Sequence, residues 1–354
     1  MKKIVLTGGG TAGHVTPNIA LLPGLKEMGF EVYYIGSVNG MEKELIEKQG
    51  IPYFGISSGK LRRYFDLKNF TDPFRVQKGF HQAIRILKEL RPNVVFSKGG
   101  FVSVPVMGAA KRVKIPAILH ESDMTPGLAN KLAIPSARYV CCNFPETMQH
   151  LPKEKAVLTG CPIRPELLSG DAKNGRSLAG FNDELPVLMI IGGSSGSVHI
   201  NDAVRQALPK LLERYQVLHL CGKGRLDDSL KDKKGYCQLE YADKELPDFF
   251  AAADLVISRA GANAISELLA LRKPNILVPL PLSASRGDQI LNARSFENQG
   301  FSLVLDDEKM TEESLLSAID TVISKKEDYL RAMEQSDAGD AIGKILELIR
   351  KTAS

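Results

Sequence analysis

Residues 8–17, GGGTAGHVTP, combine the residue types from which an anion-binding turn and a proton acceptor can be built. Gly8, Gly10 and Gly13 have the spacing G-x-G-x-x-G between an apolar run and a helical pattern, where backbone N–H groups bind phosphate. His14 follows the last glycine, and an imidazole with an ordinary pKa of about 6.5 can accept a proton at neutral pH. The stretch therefore predicts a phosphate-binding loop with a base beside it.

A nicotinamide or flavin dinucleotide is the first ligand that this glycine spacing suggests. Folds that bind such cofactors place a carboxylate about 20 residues beyond the last glycine, at the end of the second strand, to bind the ribose hydroxyls. Here the second apolar run, residues 31–36, leads into Ser37, Val38 and Asn39, so no carboxylate stands at its tip. A dinucleotide-dependent oxidoreductase is therefore disfavoured.

Apolar, β-branched runs alternate with amphipathic stretches along the chain, which is typical of βαβ units and doubly wound parallel sheets. Buried strands of a first domain are predicted at 2–7, 31–36, 93–98, 115–120 and 138–143. After a linker rich in Pro and Gly, the pattern restarts near residue 184 and continues at 216–222, 254–258 and 274–281. The sequence thus predicts two Rossmann-like domains, 1–162 and 163–325, and a C-terminal helical segment, 326–354, that could pack back across the domain joint.

Three further glycine turns follow predicted strands, in segments 97–105, 190–197 and 258–267. Ligands of doubly wound folds bind outside the carboxyl ends of the strands, so two such turns in each domain predict a crevice for a bulky, phosphate-bearing ligand. Taken singly, each turn is better explained by tight packing between a strand and a helix, whereas the set of four favours the ligand.

Charge is unevenly distributed along the chain. The formal net charge is +5, but residues 1–160 hold 22 Lys/Arg against 12 Asp/Glu, whereas the remainder is net negative. A basic first half favours an anionic partner: a nucleic acid, a phosphorylated substrate or an anionic membrane. No apolar run approaches the roughly 20 residues of a bilayer span, and no signal-peptide pattern is present, so the chain is expected to stay in the cytoplasm.

Seven motifs occur in an order typical of a known family: GGGTAGHVTP, KGGFVSVP, LHESDMTPGLANKL, GCPIRPEL, GGSSGS, SRAGANAISE and DQILNA. Together they cover nearly the whole chain, which resembles the MurG family of peptidoglycan glycosyltransferases. The resemblance implies the GT-B architecture, with two Rossmann-like domains facing each other across a cleft. It implies inverting transfer of N-acetylglucosamine from UDP-GlcNAc to the C4 hydroxyl of MurNAc in lipid I, which makes lipid II for the cell wall.

The resemblance assigns His14 as the candidate base, with capping of a helix or binding of the acceptor diphosphate as alternatives. It implies an acceptor diphosphate site at Gly10, Gly13, His14, Gly99 and Gly100. Neither a metal nor another cofactor is expected, because helix N-termini and basic side chains can hold the donor diphosphate and no Asp-x-Asp cluster is placed to bind a metal.

Donor-binding residues follow from the same resemblance. Arg164 would reach the donor diphosphate, with an interdomain salt bridge as the alternative, and Ser194 would bind the diphosphate or cap the following helix. Glu267 would accept from the ribose hydroxyls, and uridine would lie against the backbone near Tyr241. The remaining donor contacts are implied for Thr11, Ala12, Gly13, Asp123, Ala262, Asn263, Ala264, Asp288 and Gln289.

Two positions depart from the family pattern. Phe101 stands where members often have tyrosine, and Asp123 stands where many have asparagine. Asp123 could still hydrogen-bond the sugar, but its carboxylate adds a negative charge near a diphosphate site. The donor class is thus better defined than the details of acceptor binding.

Residues 60–80 mix aromatic and basic side chains, as peripheral proteins do where they meet an anionic bilayer. The alternative is that the aromatic rings are core and the charges are solvated. With a lipid-linked acceptor, the stretch predicts peripheral binding to the inner leaflet, on the cytoplasmic side, and no nucleic-acid motif accompanies it. Membrane contacts are predicted for Arg62, Arg63, Tyr64, Phe65, Phe70, Phe74, Arg75 and Lys78.

Three other functions remain as alternatives. Another GT-B activity, such as a UDP-GlcNAc 2-epimerase or a diacylglycerol glucosyltransferase, would use the same donor fold. A catalytically inactive sugar-nucleotide-binding protein with a regulatory role would keep the binding residues without transfer. The dinucleotide-dependent oxidoreductase ranks last.

Overall fold

The computed structural model describes residues 1–59, 68–182, 184–193, 196–285, 287–336 and 340–354 of the chain. They form two compact units. Unit 1 comprises Met1–Arg164 and Asp340–Ser354, and unit 2 comprises Pro165–Gly339. The chain therefore leaves unit 1 after Arg164 and returns to it for its last helix.

Unit 1 is built on a seven-stranded sheet in which every pairing is parallel. Along the sheet the strands follow the order β3-β2-β1-β4-β5-β6-β7. The strands are β1 Lys2–Thr7, β2 Phe30–Ser37, β3 Tyr53–Ile56, β4 Val94–Ser97, β5 Ala117–Glu121, β6 Tyr139–Cys142 and β7 Ala156–Leu158. In the register, Thr7 at the end of β1 pairs with Ile35 on one side and Ser97 on the other, so the loops after β1 and β4 start side by side.

Helices cover both faces of this sheet, as hydrophobic clusters on each side of the strands require. They are α1 Thr16–Ala20, α2 Leu22–Glu27, α3 Glu42–Glu47, α4 Lys68–Leu90, α5 Ser103–Arg112, α6 Leu128–Ala133 and α14 Ala341–Thr352. Helices α1 and α2 are divided at Leu21, because Pro23 lies in the first turn of α2 and proline lacks the N–H that a continuous helix needs.

The last helix, α14, completes the core of unit 1. Ile345 and Ile349 are fully buried in the same cluster as Ile4 of β1. A Cβ atom on Gly24 would lie only 2.3 Å from the Leu346 side chain, so this glycine allows α14 to approach α2 closely. The segment 326–354 is thus shared between the units, because α13 (Lys326–Glu334) remains in unit 2.

Unit 2 repeats the design with a six-stranded parallel sheet in the order β10-β9-β8-β11-β12-β13. Its strands are β8 Val187–Ile191, β9 Gln216–Leu220, β10 Tyr236–Leu239, β11 Leu255–Ser258, β12 Asn275–Leu277 and β13 Leu303–Val304. Its helices, besides α13, are α7 Ala172–Leu178, α8 Val198–Leu211, α9 Leu246–Ala252, α10 Ala262–Ala270, α11 Asp288–Asn298 and α12 Glu312–Ser324.

The predicted fold class, two Rossmann-like doubly wound parallel sheets, is confirmed. All the strands predicted from apolar runs are present, whereas four short strands at or near sheet edges, β3, β7, β10 and β13, were not predicted. Helix α4 is 23 residues long and contains Pro73. Among the helices of the described ranges, none is both long and apolar enough to cross a bilayer.

Candidate active site

The glycine turns of unit 1 meet where the strand order reverses, between β1 and β4, which is the ligand-binding edge of doubly wound sheets. Gly99 and Gly100 have positive φ angles of 95° and 85°, which other residues adopt only with strain. A Cβ atom on Gly100 would lie 2.3 Å from the carbonyl oxygen of Gly9. The two turns therefore pack directly on each other and form a single backbone surface.

We expect Gly100→Ala to destabilise unit 1 by about 3 kcal/mol or more, because the methyl group would force the two backbones apart as well as strain φ. Gly29→Ala is the matched control: its φ is 73°, but no atom lies within 4 Å of the added Cβ. Its cost should be about 1–2 kcal/mol, from the left-handed backbone alone. Thermal melting of both variants checks this, and equal losses would contradict the close packing of the turns.

His14 ends a short 3-10 turn, Ala12–His14, directly after the glycines. Its Nδ1 atom lies 3.0 Å from the hydroxyl oxygen of the exposed Thr11, and its backbone N–H donates to the Thr11 carbonyl at 3.1 Å. Desolvation and the positive charge of Lys98 lower the pKa of His14 to about 4, against smaller opposing effects of Gly9 and Glu42. The imidazole is therefore neutral at physiological pH and able to accept a proton.

A buried polar network holds both ends of this loop. The Asn18 side-chain amide donates to the carbonyls of Thr7 at 3.2 Å and His14 at 3.4 Å. The Tyr34 hydroxyl accepts from Asn18 and donates to the Gly8 carbonyl at 2.8 Å. Both side chains are fully buried, so the position of the His14 backbone is fixed from the core side.

Glu42 is a functional candidate that sequence reasoning missed. It is fully buried, and its carboxylate accepts from the N–H of Ser37 at 2.8 Å and the N–H of Gly10 at 3.3 Å. Cβ atoms on Gly9 or Gly40 would lie 2.5 Å or less from this carboxylate, so both glycines make room for it. The Glu42 carboxylate therefore does reach the end of β2, but it accepts hydrogen bonds from backbone N–H groups and is not available to a ribose.

The loop after β5 is organised by Glu121. One carboxylate oxygen accepts from the N–H of Asp123 at 3.0 Å, and the other accepts from the Gly127 N–H at 3.0 Å and the Asn130 amide at 2.8 Å. Burial, with the neighbouring Asp123 charge, raises the pKa of Glu121. Glu121 thus shapes the loop that carries the half-buried Asp123, at the same sheet edge as the glycine turns.

In unit 2, the turn after β8 leads into α8, and its N-cap is Ser197, whose hydroxyl accepts from the Ile200 N–H at 3.3 Å. Ser197 therefore caps α8, and Ser194 lies outside the described residues. A Cβ atom on Gly196 would lie 2.0 Å from the Cys221 carbonyl oxygen, so this turn packs tightly against the end of β9.

Arg259 anchors the same region from the turn after β11. Its buried guanidinium donates to the Asp307 carboxylate at 2.6 Å, the Ser197 hydroxyl at 2.6 Å and the Val278 carbonyl at 3.0 Å. Asp307 also lies 3.1 Å from Nδ1 of His199 on α8. Arg259 and Asp307 are 48 residues apart in sequence, and their buried ion pair thus holds the N-cap of α8.

The donor residues predicted in α10 share one face of that helix. Asn263, Ala264 and Glu267 are half-buried, whereas their neighbours on the opposite face, Ile265 and Leu268, are core residues. Ala262, at the helix start, is buried. The arrangement leaves Asn263 and Glu267, one turn apart, directed away from the core at the carboxyl end of β11.

Gln289 has its orientation fixed by the backbone. Its side-chain carbonyl oxygen accepts from the N–H of Leu280 at 3.1 Å, so its amide NH2 group is the part left to face a ligand. Asp288 precedes it as the first residue of α11, after Gly287 with a φ of 84°. Tyr241, in the loop after β10, is 64% exposed.

The predicted membrane contacts are described only in part. Phe74 is 74% exposed on α4, and Arg75 and Lys78 on the same helix are also exposed. Phe80 instead packs partly against the core of unit 1. Arg62, Arg63, Tyr64 and Phe65 lie outside the described residues, as does the side chain of Phe70. Arg164 is half-buried at the end of unit 1.

His219 of β9 is a buried neutral histidine in unit 2. Nδ1 accepts from the Tyr236 hydroxyl and Nε2 donates to the Asn201 side-chain oxygen, both at 3.0 Å. Desolvation, with the Arg205 charge, lowers the pKa of His219 to about 3. In the unfolded chain its pKa returns to about 6.5, so unfolding takes up a proton below that pH.

We therefore expect stability to fall between pH 7 and pH 5, with His219 contributing about 2 kcal/mol of the loss. The stabilising contribution of His219 is fully present above its pKa in the unfolded chain, and it disappears as the pH falls towards its pKa in the folded protein. Denaturant unfolding of His219→Gln at both pH values should show a pH dependence smaller by that amount. The exposed His150 serves as control: His150→Gln should show the same pH dependence of stability as the wild type.

Within the parts of the chain that the structure describes, no three His, Cys, Asp or Glu side chains are grouped so that they could hold a metal ion.

Comparison with known proteins identifies the family. Residues 4–141 match the N-terminal domain of glycosyltransferase family 28, and residues 187–348 match its C-terminal domain. A curated transferase of Lachnoclostridium phytofermentans is 64% identical over 351 residues, which cover 99% of both chains. The chain belongs to the MurG family. It is thus a glycosyltransferase of GT-B architecture.

Two further relatives extend this result. A transferase of Lachnospira eligens is 60% identical over 99% of both chains. Its name, like that of the Lachnoclostridium protein, describes transfer of N-acetylglucosamine from UDP-N-acetylglucosamine to N-acetylmuramyl-(pentapeptide) pyrophosphoryl-undecaprenol. The crystal structure of Acinetobacter baumannii MurG superposes with a TM-score of 0.77 at 26% identity, covering 99% of this chain and all of that one.

Proposed function

We propose that this protein transfers N-acetylglucosamine from UDP-GlcNAc to the C4 hydroxyl of the muramoyl sugar of lipid I, giving lipid II for peptidoglycan synthesis. The observation that carries the proposal is the 64% identity, over 99% of both chains, to a transferase with these substrates in its name. The glycine turns at the switch point of each sheet support it, since they offer N–H groups where phosphate-bearing ligands bind.

On the donor side, we assign the nucleotide sugar to unit 2 residues at the carboxyl ends of β8 and β11. Glu267 accepts hydrogen bonds from the ribose hydroxyls, and Asn263 and Ala264 border the donor on the same helix face. Gln289 donates its amide NH2 to a sugar oxygen, because its own carbonyl is held by Leu280. Ser194 donates a hydrogen bond to the diphosphate, and Arg164, which belongs to unit 1, supplies its counter-charge.

The reaction is a single displacement with inversion at the anomeric carbon. The C4 hydroxyl oxygen of the acceptor forms a bond to C1 of N-acetylglucosamine while the bond from C1 to the UDP oxygen breaks. His14, neutral above a pKa of about 4, accepts the hydroxyl proton. UDP leaves with the electron pair, and its negative charge is stabilised by backbone N–H groups and the guanidinium.

A metal ion has no assigned role in this proposal. Backbone N–H groups of a glycine turn and an arginine can together stabilise a leaving diphosphate. We therefore expect transfer to proceed without added divalent cation.

The lipid-linked acceptor places the reaction at the inner leaflet, and we propose that α4 contacts it peripherally. The exposed Phe74 offers an apolar anchor, and Arg75 and Lys78 offer charges for anionic headgroups. Binding to vesicles with anionic lipid should weaken in Phe74→Ala. Phe80→Ala should instead lower the stability of unit 1, because Phe80 packs against its core.

The test of the function uses purified protein, radiolabelled UDP-GlcNAc and a lipid I analogue, with and without chelator. We expect label in the lipid fraction at equal rates under both conditions. Label released as free sugar or as a 2-epimer, with none in lipid, would contradict the transferase and support the epimerase alternative. If chelator abolishes transfer, the proposed function still holds, but the metal-independent mechanism is contradicted.

A further inference from the structure

Lys98 is a buried cation whose described partners are neutral. It follows β4, immediately before Gly99 and Gly100, and its side chain is only 1% exposed. Its ammonium group lies 2.9 Å from Nδ1 of His120 and donates to the hydroxyl of Ser122. Among the residues that the structure describes, it forms no ion pair. A buried charge without a counter-charge is strongly unfavourable unless a ligand supplies one.

His120 cannot supply a negative charge, and its tautomer is fixed. Its Nε2 atom lies 2.8 Å from the carbonyl oxygen of Gly160, so Nε2 carries the proton and Nδ1 accepts from Lys98. Burial and the neighbouring Lys98 charge lower the pKa of His120 well below its usual value. The histidine therefore orients the ammonium group without neutralising it.

The two buried carboxylates nearby are also committed elsewhere. Both oxygens of Glu121 accept hydrogen bonds from its own loop, at Asp123, Gly127 and Asn130. Both oxygens of Glu42 accept from backbone N–H groups, one of them that of Gly10. Glu42 thus occupies the β2 side of the first glycine turn with a negative charge, which disfavours a second anion there.

Lys98 lies on the other side of the same turns. A Cβ atom on Gly8 would be 3.3 Å from Cβ of Lys98, and Gly100 packs on Gly9. The lysine stem therefore runs beneath both glycine turns, and its charge lies towards β5. An anion bound at this edge of the sheet finds a positive potential on the β4–β5 side and a negative one on the β2 side.

We propose that Lys98 is a positioning residue whose ammonium is the counter-charge for the acceptor's diphosphate, held on the β4–β5 side of the two glycine turns. The identification of that diphosphate as the one in lipid I rests on the proposed function. Because Lys98 is so deeply buried, it acts through its field and through the Ser122 hydroxyl rather than as a surface contact. A unit charge within about 7 Å, at an effective dielectric constant of about 20, is worth at least a tenfold change in affinity.

Calorimetric titration with geranyl diphosphate, at saturating UDP to fill the donor site, tests this directly. We compare the wild type with Lys98→Met, which keeps the stem, and Lys98→Gln, which keeps a hydrogen-bond donor but no charge. Both variants should bind geranyl diphosphate at least tenfold more weakly. Lys131→Met, which removes an exposed charge from α6 of the same unit, should change the affinity less than twofold.

A kinetic split separates this role from a structural one. In the transfer assay, the Lys98 variants should raise KM for the lipid I analogue at least tenfold and leave KM for UDP-GlcNAc within twofold. Wild-type affinity for geranyl diphosphate in either folded Lys98 variant, or no binding by the wild type, would overturn the proposal. If Lys98→Met does not fold, the affinity of Lys98→Gln for geranyl diphosphate tests the proposal alone. Tight diphosphate binding by a wild type that makes no lipid II would instead refute the proposed function alone.

Discussion

Replacing His14 with alanine is expected to lower kcat for transfer by about 10²–10⁴-fold, the usual contribution of a positioned general base. KM for UDP-GlcNAc should change much less than kcat, because the donor residues assigned to unit 2 are untouched. The imidazole is held next to the glycine turn by the Thr11 hydroxyl and by the buried Asn18 network, so its loss should not displace the loop. Steady-state kinetics with a lipid I analogue measure both parameters.

The pH dependence distinguishes a base from a residue that only binds. In the free protein, desolvation and Lys98 lower the pKa of His14 to about 4, whereas a bound diphosphate opposes the effect of Lys98 and raises it. The acidic limb of kcat should therefore lie at higher pH than that of kcat/KM. A His14→Ala variant that keeps kcat within threefold of the wild type would refute the assignment.

Asp307→Ala should be the most destabilising single change outside the hydrophobic core of unit 2. It removes the counter-charge of the buried Arg259 and leaves a cation among carbonyls, which typically costs about 3–5 kcal/mol. The melting temperature of unit 2 should fall by about 10 °C. Donor affinity should fall as well, because Arg259 also holds Ser197, the cap of α8 behind the diphosphate turn.

An exposed ion pair in the same unit provides the control. Arg214 and Asp320 lie 2.6 Å apart with about half of each side chain exposed, so Asp320→Ala should cost less than about 1 kcal/mol. Calorimetry or thermal melting compares the two variants. Similar losses in both would show that burial of the Arg259–Asp307 pair does not determine its contribution to stability.

The fold could be predicted from the sequence because its central strands are buried on both faces. The centres of two such runs, residues 4–6 and 255–257, are apolar and fully buried, and glycine turns follow within a few residues. The edge strand β3 is short, contains Gly55 and is partly exposed, so its pattern is not distinctive. The first glycine turn and His14 could also be found, since glycine spacing is visible in the sequence itself.

The supporting residues of the candidate site could not be found in this way, because they depend on contacts between distant segments. Glu42 follows β2 by only five residues, yet it reaches the Gly10 turn 32 residues away. Lys98 meets His120, and Arg259 meets Asp307, through strand order alone. The glycines at 9 and 40 were the available signal for Glu42, but glycine in a turn has many possible causes.

The structure of the product tests the central claim most directly. Purified protein is incubated with UDP-GlcNAc and a lipid I analogue, and the purified product is analysed by mass spectrometry and by NMR of its anomeric proton. We expect one added N-acetylglucosamine on the C4 oxygen of the muramoyl sugar, in the β configuration that inversion of the α-linked donor gives. An α linkage, attachment at another hydroxyl or unmodified lipid I beside altered UDP-sugar would contradict it.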